Sequence, residues 1–272
     1  MNNFIKRTLS GAFFVALIMV SILLDAFTYA IIFSIVTGLS VWEFHKLTNQ
    51  VPDVKVNRWM AVVGAVILFA CSFIHASNIL QFPVFSIYGL FLVGTFIVEL
   101  YLKKKNPIHN WAYYLLGQVL VALPFSLLNF IAYIDAGIYK PLFLLAVFVT
   151  IWVNDTGAYL VGVTIGKHRL FERISPKKSW EGFFGGALAA LASGYIFYTL
   201  IPELSLIKWF VFAEIVVIFG TYGDLMESLL KRTLQVKDSG NAIPGHGGFL
   251  DRFDSMLLAA PVIFIYLSWV FK

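Results

Sequence analysis

The sequence is poor in cysteine and in charged residues. Its 272 residues include one cysteine, Cys71, so an intrachain disulfide is excluded. Charged residues make up 13% of the chain, against about 25% in an average soluble domain. Hydrophobic residues make up 60%, which argues against both a water-soluble globule and a disordered chain. The sequence also lacks a P-loop, a dinucleotide fingerprint and a His/Cys cluster with zinc spacing.

Nine apolar runs are long enough, or nearly so, to cross a bilayer. They lie at about 8–24, 27–45, 58–75, 81–101, 112–132, 141–162, 182–201, 207–227 and 255–271. Strands of a membrane β-barrel would instead alternate over segments of about 10 residues. We therefore predict an all-α, polytopic integral membrane protein with about nine transmembrane helices, the first run being retained as a helix.

The basic residues predict the topology. With the N-terminus in the cytoplasm, 17 of the 20 Lys and Arg residues fall on the cytoplasmic side, as the positive-inside rule requires. The two longest loops, at about 163–181 and 228–254, are then cytoplasmic. We predict a multi-pass protein of the plasma membrane whose active site faces the cytoplasm. The net charge of +5 favours contact with anionic membrane lipids, and no nucleic-acid partner is expected.

The chain reads as one membrane domain over residues 1–272. Residues 1–135 are mainly apolar helices with scattered charges, and we interpret them as a scaffold. Residues 136–272 contain both long loops, which are rich in Gly, Pro, Ser and charge, and form the predicted catalytic half. In the run 182–201, small residues recur every four positions, which predicts a seam of close helix packing.

Four polar residues near the end of the run 207–227 have helical spacing. They are Asp224, Glu227, Ser228 and Lys231, at i, i+3, i+4 and i+7. If the helix continues, they share one face. An ionised carboxylate inside an apolar helix is costly, so Asp224 is expected to be paired or metal-bound. By contrast, Glu43 and Glu99 lie near ends of their runs, and we interpret them as solvated.

A glycine-rich turn, Pro244–Gly248, separates this face from Asp251 and Asp254. Its glycines allow positive φ angles and close backbone approach, and its N–H groups suit phosphate oxygens. Oxygen ligands suit Mg²⁺ better than zinc or copper. Nearby basic residues add positive charge: Lys231, Arg232, Lys237 and Arg252. Together these features predict a metal–phosphate site at the membrane surface.

A second polar segment lies upstream. Asp155 is another carboxylate within an apolar run, and Lys167 follows that run. Ser175-Pro-Lys-Lys-Ser179 offers hydroxyl and ammonium groups at the start of the next run, where a helix N-terminus favours anions. Taken alone, the segment is equally compatible with a capped loop that binds lipid headgroups.

These residues carry a resemblance to a known family. Residues Ser228–Asp254 contain three polar elements in order. They are Ser-x-x-Lys-Arg, then Lys-Asp after four residues, and then Pro-x-His-Gly-Gly-x-x-Asp-Arg-x-Asp. This pattern resembles the signature of phosphatidate cytidylyltransferases (CDP-diacylglycerol synthases). The upstream Asp155-Thr-Gly-Ala-Tyr and Ser175-Pro-Lys-Lys-Ser-x-Glu-Gly are similar to that family as well.

The resemblance implies an integral membrane enzyme that transfers CMP from CTP to phosphatidate, giving CDP-diacylglycerol and pyrophosphate. It implies Mg²⁺, with a second cation left open, and a homodimer. It places metal ligation on Asp224, which follows Gly223, and on Asp251. The other catalytic candidates are Asp254, Lys231, Arg232, Lys237 and His246. The substrate-binding candidates are Asp155, Lys167, Ser175, Lys177, Lys178, Ser179, Gly247, Gly248 and Arg252.

Two alternatives remain open at this point. One is a CTP-dependent polyprenol kinase, which uses the same nucleotide but transfers its terminal phosphoryl group. The other is an ion-coupled transporter whose intramembrane carboxylates bind cations. The charges gather near one membrane face rather than at the midplane, which argues against the transporter.

Overall fold

The computed structural model of the protein describes residues 3–135, 137–236, 238–240 and 247–272, with side chains from Ser10 onward. Two predicted site residues, Lys237 and His246, lie outside the described residues.

All nine predicted runs are helical. The helices are α1 (Asn3–Leu24), α2 (Ala26–Thr48), α3 (Arg58–Ala76), α4 (Phe85–Tyr101), α5 (Pro107–Gly117), α6 (Leu123–Ala132), α7 (Pro141–Ile165), α8 (Trp180–Leu200), α9 (Leu206–Thr233) and α10 (Leu250–Val270). A π-helical turn, Gln118–Ala122, joins α5 to α6 within one continuous run.

Seven of these helical segments in the described residues are long and apolar enough to cross a membrane. Two further apolar helices, Ser10–Leu24 and Phe85–Tyr101, are shorter. The multi-pass membrane character is confirmed. The count of nine spans and the cytoplasmic N-terminus stay predictions.

The two long loops are shorter than predicted. Helix α9 continues to Thr233 and α10 begins at Leu250, so the predicted loop 228–254 contracts to 234–249. Both helices extend beyond their apolar runs into polar residues, where hydropathy does not identify a helix. Within the predicted loop 163–181 lies a two-stranded antiparallel hairpin of β1 (Arg169–Phe171) and β2 (Ser175–Ser179). The all-α prediction therefore misses this small β element.

The chain forms two compact units. The first contains Met1–Lys140 and Thr233–Phe253, and the second contains Pro141–Arg232 and Asp254–Lys272. The boundary at Lys140 lies near the predicted division of scaffold and catalytic halves, but the segment that carries Asp251 belongs to the first unit. The prediction of a single membrane domain stays a prediction.

The first unit has an aromatic core in which α2, α3 and α6 pack together. Tyr29, Phe33 and Phe69 are fully buried there, because apolar side chains gain by close packing with each other. Phe253, from the first turn of α10, lies edge-on to Phe125 of α6 at 5.1 Å between ring centroids. This contact fixes the start of α10 in the first unit.

The predicted packing seam is confirmed in the second unit, where α7 and α8 lie against each other. A Cβ atom added at Gly157 would lie 2.7 Å from the Cβ of Ala189. A Cβ atom added at Gly186 would overlap the side-chain oxygen of Asn154. Glycine at these positions lets the two helix backbones approach closely.

We expect Gly186→Ala to destabilise the protein by about 1–3 kcal/mol, because the added methyl group must displace Asn154. Gly94→Ala in α4 is the matched control, since a Cβ atom there would meet nothing within 4 Å. Thermal unfolding in detergent measures both variants. Equal midpoints for the two would contradict the proposed steric function of the seam.

Candidate functional site

The second unit contains a cavity of about 580 Å³. Its wall is formed by α7, the hairpin, α8 and α9, with Ser255 from α10. Its charged lining residues come from both halves of the predicted polar sequence: Asp155, Arg169, Lys177, Lys178 and Asp224. The cavity thus combines cations and carboxylates in one concave surface, as a phosphate-binding site requires.

Asp224 is paired, as the cost of a carboxylate in an apolar helix predicts. Lys178 Nζ lies 2.6 Å from Asp224 Oδ2, and Ser228 Oγ donates a hydrogen bond to Asp224 Oδ1 at 3.1 Å. The side chains of Lys178 and Asp224 are 27% and 30% exposed, so a ligand in the cavity can reach both. The hairpin and α9, which are distant in sequence, therefore contribute to one ion pair.

The helical face predicted from the spacing in α9 is also confirmed. Ser228 bonds back to Asp224 one turn earlier, and Lys231 forms an ion pair with Glu227. Both pairs have the i, i+4 spacing that brings side chains together on a helix.

Asp254 lies close enough to Asp224 and to Asp155 for its charge to interact with both carboxylates. Gly223 contributes to this arrangement, because a Cβ atom there would overlap the backbone oxygen of Asp254. The absence of a side chain at 223 therefore lets the backbone at Asp254 approach α9 next to Asp224.

The donor set suits magnesium. Among the described residues, no group of three or more His, Cys, Asp or Glu side chains is placed to hold a metal ion. Magnesium does not need such a group, because it is usually bound by one or two carboxylates, water and substrate phosphates. Three neighbouring carboxylates leave an excess of negative charge that Lys178 offsets only in part. One or two of these carboxylates would meet the protein's share of a Mg²⁺ coordination shell.

Ser179 begins α8. Its hydroxyl oxygen accepts a hydrogen bond from Gly182 N at 3.1 Å, and Trp180 N donates to His168 O at 2.9 Å. The predicted helix N-terminus beside Ser175–Ser179 is therefore confirmed. The positive end of the α8 helix dipole lies next to the cavity, where it favours anions.

Other predicted basic residues have structural contacts in the second unit. Arg232 Nε donates to Ile174 O in the hairpin at 3.5 Å, which ties the hairpin to α9. Lys167 N donates to Glu181 at 3.1 Å, and His168 Nδ1 lies 2.6 Å from the same carboxylate. The contact found for Lys167 is thus made by its backbone. Ser175 pairs with Phe171 in the hairpin register.

Asp251 lies in the first turn of α10, in the first unit. Its Oδ2 atom accepts hydrogen bonds from Ser239 N at 2.9 Å, Ser239 Oγ at 2.8 Å and Gly248 N at 2.8 Å. Gly247 has a φ of +81°, and a Cβ atom there would lie 2.6 Å from Asp251 Oδ2. Gly247 thus has the predicted positive φ, while residues 244–246 of the predicted turn lie outside the described residues. Arg252 is exposed, and the pairing of Asp224 with Asp251 stays a prediction.

Sequence reasoning missed Glu43 and Ser239. Glu43 is 6% exposed and Glu99 is 8% exposed, so the interpretation of both as solvated is wrong. Glu43 Oε2 accepts hydrogen bonds from Ser239 Oγ at 3.2 Å and Leu250 N at 3.0 Å. The signal was present, because Glu43 stands between Trp42 and Phe44 in an apolar helix. The cost argument that singled out Asp224 applies there as well.

Comparisons with known proteins agree with the resemblance. A model of the Cytidylyltransferase family matches residues 5–270. The chain is similar to proteins named phosphatidate cytidylyltransferase. It is 48% identical to that of Bacillus subtilis (strain 168) over 44% of this chain and 45% of the relative. It is 41% identical to that of Haemophilus influenzae over 48% of each.

The matches to these two relatives therefore span about half of their length. A longer match joins the chain to the phosphatidate cytidylyltransferase of Staphylococcus aureus (strain COL). The two are 30% identical over 96% of this chain and 98% of the relative.

Proposed function

We propose that this chain, which belongs to the cytidylyltransferase family, transfers CMP from CTP to phosphatidate and forms CDP-diacylglycerol and pyrophosphate. The observation that carries the proposal is the Lys178–Asp224 ion pair on the wall of the cavity. It supports the proposal because its ammonium group suits a substrate phosphate and its carboxylate suits a metal ion.

The reaction needs positioning more than it needs a strong base. A phosphate oxygen of phosphatidate attacks the α-phosphorus of CTP, and the bond from that phosphorus to the bridging oxygen of the β-phosphate breaks. Pyrophosphate leaves with that bonding pair. Because two polyanions must meet, cationic groups and N–H donors have to offset their repulsion. The ammonium groups of Lys178 and Lys177 and the positive end of the α8 dipole support binding of a phosphate group in the second unit.

We propose that the enzyme depends on Mg²⁺, with Asp224 as a ligand and Asp155 and Asp254 in support. When bound, the ion neutralises phosphate charge and orients the α-phosphate. Before substrate binds, Asp224 and Lys178 neutralise each other, in place of the metal ion and the substrate phosphate. That Asp251 shares this ion with Asp224, and that a second cation takes part, are predictions from the sequence and the family resemblance.

The direct test supplies the purified protein with Mg²⁺, phosphatidate and CTP labelled on either the α- or the γ-phosphate. We expect the α-label to appear in a CDP-lipid and the γ-label in pyrophosphate. In a parallel reaction with a polyprenol in place of phosphatidate, transfer of the γ-label to the polyprenol would instead indicate a lipid kinase. No lipid product with either label would contradict the proposed activity.

We further propose that the protein lies in the plasma membrane, with its active site facing the cytoplasm, and that it forms a homodimer. The asymmetry of Lys and Arg supports the orientation. The family resemblance supports the homodimer, which light scattering of the detergent-solubilised protein would test by its mass.

The topology makes a labelling prediction. With Cys71 replaced by Ala, we expect Glu172→Cys and Thr233→Cys to resist a membrane-impermeant thiol reagent in intact cells and to react after permeabilisation. Both positions are exposed, in the hairpin and at the end of α9. Glu203→Cys, in the exposed turn before α9, is the control that should react in intact cells. Labelling of either test position without permeabilisation would contradict a cytoplasmic site.

A further inference from the structure

Glu43 accepts hydrogen bonds from two residues that precede Asp251 in the chain. Its Oε2 atom accepts a hydrogen bond from Ser239 Oγ at 3.2 Å and another from Leu250 N at 3.0 Å. Leu250 is the first residue of α10, and its N–H is one of those a helix cannot satisfy internally. A buried carboxylate on α2 thereby supplies an acceptor to a helix N-terminus, where negative charge is favourable.

Ser239 connects Glu43 with Asp251. The Ser239 hydroxyl lies 3.2 Å from Glu43 Oε2 and 2.8 Å from Asp251 Oδ2, and the Ser239 backbone N–H also donates to Asp251 at 2.9 Å. Ser239 is 2% exposed, so solvent does not compete for these contacts. Its single hydroxyl proton is placed between two carboxylates, and a displacement of one carboxylate must disturb the other.

Two glycines make room for the Glu43 carboxylate. A Cβ atom at Gly240 would lie 2.5 Å from Glu43 Oε1, and one at Gly248 would overlap Glu43 Oε2. Gly248, unlike Gly247, does not have a positive φ. The backbone conformation at 248 is therefore open to other residues. Glycine is required there because the Glu43 carboxylate approaches too closely for a side chain.

We infer that Glu43 is a positioning residue for cytidylyl transfer, which acts through Ser239 and the start of α10 to fix the orientation of Asp251. This inference rests on the proposed function, in which Asp251 takes part in catalysis. In this inference, Glu43 needs a side chain long enough to meet Ser239 and Leu250 and an oxygen that accepts their hydrogen bonds. Its negative charge contributes less.

Steady-state kinetics of two Glu43 variants test the inference. Glu43→Ala removes the acceptor, and we expect kcat to fall about 10- to 100-fold. Losses of this size follow the removal of residues that hydrogen-bond to a metal ligand without contacting the metal. The KM values for CTP and phosphatidate should change by less than about 3-fold, because no substrate contact is lost. Glu43→Gln keeps the length and an acceptor oxygen, and it should restore kcat to within about 3-fold of wild type.

Glu99→Ala is the matched control. Glu99 is also buried in the first unit, but it accepts hydrogen bonds from Asn110 Nδ2 at 2.5 Å and Lys104 Nζ at 2.8 Å. We expect this variant to lose stability while its kcat per folded molecule stays near wild type. If Glu43→Ala does not fold, Ser239→Ala replaces it, because this smaller change removes only the bridging hydroxyl.

Hydrogen exchange gives a second readout that does not depend on activity. We expect Glu43→Ala to accelerate exchange of the Ser239, Gly248 and Leu250 amides, and Glu99→Ala to leave them protected. Unchanged exchange or unchanged kcat in Glu43→Ala would overturn the inference, as would a Glu43→Gln variant as slow as Glu43→Ala. A wild-type protein that makes no CDP-lipid would refute the proposed function, while the exchange experiment would still measure the Glu43 contacts.

Discussion

Asp224→Asn is expected to abolish CDP-diacylglycerol formation while leaving the protein folded in the membrane. Asn keeps the size of the side chain and an acceptor for the Ser228 hydroxyl, but it removes the charge that pairs with Lys178. A catalytic metal contributes several kcal/mol of charge stabilisation, and about 4 kcal/mol corresponds to about 10³ in rate. We therefore expect a loss of at least about 10³-fold in kcat at ordinary Mg²⁺.

Asp251→Asn should have a similar effect, since the family resemblance makes both residues ligands of one ion. If they act as a unit, the double variant should lose little more than either single variant. The measurement is product formation across a Mg²⁺ titration, with matched amounts of purified protein.

Asp53→Asn is the control for this series. Asp53 lies in a turn of the first unit, where it pairs with the exposed Lys105 at 2.7 Å, and its φ of +62° suits Asn. Its activity should match wild type. Near-normal activity of Asp224→Asn or Asp251→Asn would remove that residue from the proposed metal site. Full additivity in the double variant would contradict a shared ion.

The sequence predicts the helices well because long apolar runs have few alternatives in a membrane protein. It places their ends poorly where polar residues continue a helix. Asp251 and Asp254 precede the last predicted apolar run, yet both lie inside α10. The hairpin is missed because β2 contains Pro176, Lys177 and Lys178, which have no alternating apolar pattern.

In the site, the sequence predicts that a carboxylate needs a partner but does not identify the partner. The cost of burying Asp224 predicts that it is paired, and the pairing is confirmed, but spacing along one helix cannot identify Lys178 as the partner. Glu43 is missed because proximity to a helix end does not by itself indicate exposure. Its burial depends on Ser239 and Leu250, about 200 residues later in the chain, and no local pattern encodes such a contact.

Lys178→Ala is expected to lower kcat/KM by about 10²-fold, the loss that follows removal of one well-placed charge-stabilising group. The sequence predicts phosphate binding by both Lys177 and Lys178, and the structure separates them. Lys178 is partly buried against Asp224, whereas Lys177 is exposed beside it. Solvent and salt screen an exposed ammonium group more strongly, so Lys177→Ala should cost about 3- to 10-fold.

Lys178→Arg tests whether charge alone suffices. Arg keeps the positive charge but presents a planar fork in place of a compact ammonium group. We expect Lys178→Arg to recover part of the activity and Lys178→Met to recover none. Lys105→Ala is the control for loss of a lysine ion pair, since Lys105 is 82% exposed and pairs with Asp53 at the surface.

Ionic strength separates a catalytic function of Lys178 from an effect on topology. The apparent affinity of the wild type for its anionic substrates should fall as salt rises, because phosphate neutralisation near a surface is screened. In Lys178→Ala this dependence should be weaker, since one of the screened contacts is already gone. A Lys178→Ala protein that inserts normally, keeps wild-type kcat/KM and shows an unchanged salt dependence would make the hairpin lysines topology determinants only. The functional assignment of the cavity would then rest on its carboxylates alone.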